Sequence, residues 1–234
     1  YRFGRTEDIP LGFSAGITSG IERNNFYDRM YNQAGLSFSA YKNVYGYLNL
    51  NSSTSTYLKK GDAEQTYFQS SLVYFSPLFK IDGYNSRQFI SLKYSLGKNR
   101  FSDELLNIDN RHGVRDYYND AAKGTQRFVL SMETVFFPPV YFYGFGVAWF
   151  PFADMAWLSY DRQQLFSGNN FYSGFGAGIR IRNESLVFKS LEIRLAYYPR
   201  VPAGDKKFSG YISNENNLNL ENFSPDIPSI SGFE

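Results

Sequence analysis

The sequence predicts an all-β protein, an antiparallel transmembrane β-barrel to which this chain contributes about ten strands. Three observations carry that expectation. Apolar residues fill 43% of the 234 positions, yet the mean hydropathy is -0.40 because polar residues interrupt them throughout. Aromatic residues reach 19%, with 23 Phe and 20 Tyr beside 20 Gly, a mixture that supplies interfacial girdles, apolar outward positions and small inward ones. Connections alternate between long polar segments and generally shorter ones, as extracellular loops and periplasmic turns do. A lipocalin-like barrel or a sandwich also alternates, but this composition favours the membrane form.

Taken in chain order, Phe13, Ala15, Ile17 and Ile21 alternate with glycine and hydroxyl residues, and Ala34, Leu36, Phe38 and Ala40 alternate with Gln33, Gly35, Ser37 and Ser39. Two further strands fall near residues 45–57 and 66–78. Gln88, Ile90, Leu92, Tyr94 and Leu96 then face away from Ser91, Lys93 and Ser95, and Phe128, Leu130, Met132 and Phe136 away from Arg127, Ser131 and Glu133. Residues 135–158 are apolar over a helix-spanning length, but Pro138, Pro139, Pro151, Asp154 and the crowded aromatics argue for two strands joined at the prolines. In the second of them Trp149, Met155 and Trp157 lie opposite Asp154.

The clearest element covers residues 174–182. Phe175, Ala177, Ile179 and Ile181 share one parity, and Gly174, Gly176, Gly178, Arg180 and Arg182 the other. An arginine facing lipid at the midplane costs about 2–4 kcal/mol, so both arginines are expected to face a lumen. The next strand places Leu191, Ile193, Leu195 and Tyr197 outward and Glu192 and Arg194 inward. A last, weaker strand falls near residues 207–213. The lumenal arginines Arg180, Arg182 and Arg194 read either as a pore lining or as partners of Glu192, Glu133 and Asp154, and pairing is the preferred reading. The expected organisation is therefore barrel strands over residues 1–213, with a loop at 98–125 folded inward, and a closing strand or periplasmic tail at 214–234.

Several function classes are set aside. A net charge of +2 with scattered basic residues gives no footprint for nucleic acid. His112 is the only histidine and Cys is absent, so His-based metal clusters and Ser-His-Asp triads are not expected. No cofactor, metal or catalytic residue is assigned, and the chain is not expected to be an enzyme. No secretory signal is visible at Tyr1, which fits a mature protein or a piece of a longer one.

The chemistry concentrates instead in the loop 98–125 and the two strands after it. The loop carries Gly113, Val114, Arg115, Asp116 and Tyr117 in succession, and the strands place Glu133 and Asp154 on lumen parity. Two carboxylates in a narrow lumen are costly unless paired, and the planar fork of an arginine satisfies both where a lysine could not.

These residues resemble the BamA/TamA-type outer-membrane assembly factors, also called bacterial surface antigens. There a Val-Arg-Gly-aromatic motif folds into the lumen, and its arginine meets a glutamate on the next strand and an aspartate on the one after. The matching positions are Val114, Arg115, Tyr117, Glu133 and Asp154; residues 174–180 and 191–199 are similar to that family's antepenultimate and penultimate strands. The likeness covers about residues 86–200. It implies a sixteen-stranded barrel of which this chain is the C-terminal part, a bacterial outer-membrane location among lipid and lipopolysaccharide, polypeptide cargo, and periplasmic or lipoprotein accessory subunits. A ten-stranded relative, a passive porin-like barrel and an anchor for a separate N-terminal domain are the alternatives. Asp116 departs from the motif's glycine. Were it to pair with Arg115 locally, the loop would not need to enter the lumen.

Overall fold

Each strand of this chain returns beside the one before it, so a single meander accounts for almost the whole path. The computed structural model describes residues 9–23, 28–110, 112–118, 122–139, 141–142, 145–160, 164–183, 191–202 and 204–213. Ten long strands form one antiparallel sheet: β1 (Gly12–Arg23), β2 (Asp28–Lys42), β3 (Gly46–Lys59), β4 (Asp62–Phe75), β6 (Tyr84–Lys98), β7 (Gln126–Phe137), β9 (Phe145–Ser159), β10 (Phe171–Asn183), β11 (Leu191–Arg200) and β12 (Phe208–Ser213). Two short strands, β5 (Phe79–Ile81) and β8 (Tyr141–Phe142), extend the hairpins ahead of β6 and β9. Among the described residues β1 and β12 do not pair with each other, so the sheet has two open edges. The expected tail 214–234 lies outside the described residues.

The period-two pattern holds through the sheet, because successive side chains on a strand point to opposite faces. The inner face, on which the 98–125 loop packs, takes Ala148, Phe150, Phe152, Asp154, Ala156 and Leu158 from β9, all buried. The outer face keeps apolar side chains uncovered: Ile17 is 85% exposed, Leu195 71%, Phe208 71% and Ile212 69%. In β11 the alternation is complete, with Glu192, Arg194, Ala196 and Tyr198 buried and Leu191, Ile193, Leu195 and Tyr197 exposed.

The structure corrects one connection. Residues 59–64, expected as a long polar loop, form a tight hairpin in which β3 pairs with β4 up to Lys59 opposite Asp62. Lys60 and Gly61 both take positive φ, 53° and 96°, the left-handed pair that matches hairpin twist. The polar composition that suggested a loop belongs to strand ends instead. Asp82 and Gly83, at φ 48° and 85°, make the same kind of turn between β5 and β6.

Candidate functional site

The 98–125 loop is built to sit on the inner face. Leu106, Ile108 and Val114 are fully buried in one cluster with Phe150, Phe152 and Tyr198. Its backbone is closed on itself by Gly113 N–H and Val114 N–H donating to the carbonyls of Asp109 and Ile108, and by a bridge between Leu106 and Gly124. His112, the lone histidine, has a structural partner in Asp109, 2.8 Å from its ring.

This scaffold presents Arg115 to both predicted carboxylates. Its Nε and Nη2 each lie 2.9 Å from an oxygen of Asp154, and its Nη1 donates to Glu133 at 2.7 Å. The backbone N–H of Arg115 also donates to Asp154, at 3.0 Å, so backbone and side chain grip one carboxylate together. Asp154 is fully buried, and the guanidinium lies 4.3 Å from the centre of the Phe152 ring. Burial alone would lower the arginine's basicity; Asp154 and then Glu133 more than reverse this, so the group stays charged.

The pairing continues beyond the three residues the sequence points to. Glu133 accepts from Arg180 at 2.6 Å through its second oxygen, and Arg180 also meets Glu192 at 2.5 Å. Glu192 accepts from Arg194 at 2.9 Å, and Arg194 reaches back to Asp116 of the loop at 2.6 Å. Acid and base thus alternate from Asp154 through Arg115, Glu133, Arg180, Glu192 and Arg194 to Asp116. Since Arg115 and Asp116 are joined by a peptide bond, the chain of charges closes into a ring fastened at the loop. Burial pushes the Asp116 carboxyl above its ordinary value, with Arg194 pulling the other way.

Asp116 therefore does not pair locally in place of the latch. It adopts φ 59°, left-handed, in a region where glycine is at ease and Asp is among the few other residues that enter readily. The backbone shape is the one glycine would favour, while the side chain supplies an anchor that glycine lacks.

Every predicted latch residue is at the site. Val114 lies over β10, where a Cβ on Gly174 would come within 2.6 Å of its Cγ1. Tyr117 donates to Asp205 beyond β11 and meets Tyr198 edge-on, with ring centres 5.8 Å apart. Of the predicted lumenal arginines, Arg180 and Arg194 are buried in the ring of charges. Arg182, two residues along β10, is half-buried beyond the pairs just described. Sequence reasoning missed the anchors Asp205 and Tyr198, whose hydroxyl donates to the Arg115 carbonyl at 2.9 Å, and the aromatic floor of Phe150 and Phe152. Parity with Asp154 could have found the two phenylalanines.

The glycines of β10 leave room for that floor. A Cβ on Gly176 would run into the Leu195 carbonyl and the Phe152 ring. Gly176→Ala is therefore expected to destabilise the fold by about 1–3 kcal/mol through overpacking. A lower urea midpoint of the folded chain would report it, and an unchanged midpoint would mean that the strands part at no cost.

These elements define a class, an all-β sheet with a loop latched onto its inner face by a buried ring of charges. No protein-family model matches the chain, and no curated protein matches it.

Proposed function

We propose that this chain is the wall of an outer-membrane β-barrel of the protein assembly or translocation type, similar to the BamA/TamA-type assembly factors, acting on polypeptides without bond chemistry. The observation that carries the reading is the contact of Arg115 with both Glu133 and Asp154, the geometry that the family resemblance implies for its inward-folded loop. Lipid and lipopolysaccharide would surround the outer face, polypeptide would be the cargo, and periplasmic or lipoprotein subunits would be accessory partners.

The outer face supports a membrane setting. Phe136 stacks on Trp149 with ring centres 4.1 Å apart at one end of the β7–β9 pair, and Phe128, Phe166 and Phe171 gather around Trp157 at the other. The two tryptophans are eight residues apart on β9, roughly 26 Å along a strand at about 3.3 Å per residue. At the roughly 35–45° tilt of outer-membrane strands, that spans about 20 Å along the membrane normal, most of the roughly 25 Å apolar band between their aromatic girdles. Met132, Leu130, Ala153 and Met155 lie between them on the same face.

Closure of the barrel would take further strands at the open edges of β1 and β12, or pairing between those edges. Such edges also expose unpaired backbone groups able to template an incoming strand, the seam through which an assembly factor would work.

The test is complementation in cells depleted of the native protein, with Arg115→Ala and Glu133→Ala compared to the unaltered chain. The assembly reading expects a fall in correctly inserted outer-membrane proteins while both variants still fold into the membrane. The porin reading keeps the lumenal arginines as a lining and the loop as a plug. Large, steady, ion-selective openings unaffected by Arg115→Ala would favour it and sink the assembly reading.

A further inference from the structure

We infer that the outer face carries a seat for a phosphorylated lipid, with an acyl chain held under the turn at residues 164–170 and a headgroup phosphate on Lys98. The inference rests on the reading above that this face meets the bilayer.

The seat is made by a connection that folds back onto the wall. Between β9 and β10, the Ser167 N–H and the Asn170 side-chain amide donate to the Gln164 carbonyl at 3.0 and 2.6 Å, which closes a tight turn. The turn lays Phe166 edge-on against Phe128 and Trp157, with ring centres 5.6 Å from each, and buries Leu165. A recess of about 700 Å³ lies between it and the wall, lined by Leu165 and Phe166 of the turn and by Tyr94, Leu96 and Gln126 of β6 and β7. Apolar walls with a few polar groups, at a volume of about 300–1,000 Å³, are what a small-molecule site requires.

Position selects a lipid as the occupant. Leu96 faces Gln126 across the β6–β7 ladder, at the end of the sheet where the 98–125 loop joins these strands and the Trp157 cluster supplies the aromatic girdle. Long loops mark the extracellular side of outer-membrane barrels. A recess at girdle level on the outer face is within reach of acyl chains and out of reach of a soluble partner.

Charge selects the headgroup. No residue lining the recess is charged, but Lys98 follows Leu96 by two residues on the same face of β6 and is exposed. At about 3.3 Å per residue it stands roughly 7 Å further out. Across the β4–β6 ladder it faces Thr66 rather than a carboxylate. An acyl chain in the recess thus leads outward past a cation, where a phosphate gains a charge-assisted contact.

The test uses the full chain carrying Trp149→Phe, which leaves Trp157 as its remaining tryptophan. It is reconstituted in vesicles of brominated phosphatidylcholine, whose bromines quench tryptophan on contact. Unlabelled lipid A, a phosphorylated glycolipid, and its dephosphorylated form are then compared for relief of that quenching. Lipid A is expected to act at about one tenth of the amount, as fits one charged hydrogen-bonding group. Lys98→Gln should abolish the preference, Lys98→Arg should keep it, and Lys80→Gln, on exposed β5, should leave it unchanged. Phe166→Ala, which takes away one side of the recess, should weaken both lipids together. Circular dichroism verifies the fold of each variant. If brominated phosphatidylcholine does not quench Trp157, the outer face does not meet lipid, and the membrane reading falls with the inference. If it quenches, the inference alone is overturned by lipid A acting no better than its dephosphorylated form, by folded Lys98→Gln keeping the preference, or by folded Phe166→Ala binding both lipids unchanged.

Discussion

Arg115→Ala is expected to destabilise the seated loop by about 3–5 kcal/mol, the cost of leaving buried partner charges uncompensated. Asp154, fully buried, would lose the guanidinium contacts and keep only the Arg115 backbone N–H among its contacts with that residue. Glu133 would keep Arg180, so most of the loss falls on Asp154. Arg115→Lys is expected to recover only part of it, because one ammonium cannot reproduce the paired contacts to Asp154 together with the contact to Glu133. Amide hydrogen exchange in residues 98–118 reads the effect directly. Protection in Arg115→Ala equal to that of the unaltered chain would mean that the apolar contacts of Leu106, Ile108 and Val114 hold the loop unaided.

Arg194→Ala should be comparably severe, again about 3–5 kcal/mol, for a reason found at the other end of the ring. Arg194 is 2% exposed and stands between Glu192 and Asp116, each 1% exposed. Its removal leaves Asp116 without the side-chain partner that offsets its burial, while Glu192 retains Arg180. If the ring acts as one unit, the Arg115→Ala, Arg194→Ala double variant loses less than the two single losses added together. Urea midpoints of the three variants measure that coupling. Strict additivity would mean that the two ends of the ring hold the loop independently.

Much of the fold was legible because a strand repeats every two residues and a charge on the wrong face is expensive. Arg180, Arg194 and Glu192 could be assigned to the inner face from parity alone, and the structure has them buried there. Residues 59–64 misled for a local reason, since a polar strand end and a polar loop have similar composition, and the deciding feature is the positive φ of Lys60 beside Gly61. The latch was half legible. Its acceptors Glu133 and Asp154 follow from parity, and its donor from the charge balance and the family resemblance. The return from Arg194 to Asp116 spans 78 positions in the sequence, and no local pattern encodes it.

The sequence by itself determined which side chains share each face, because alternation is a property of the single strand. It also placed Arg115 on the loop and Glu133 and Asp154 on one parity of the strands that follow. Only the tertiary structure decided which carboxylate each arginine takes, and that Asp116 turns away from its neighbour Arg115 to close the ring through Arg194. Those choices depend on strand register and on a left-handed backbone at one residue, and both are set by the whole sheet packing against the loop.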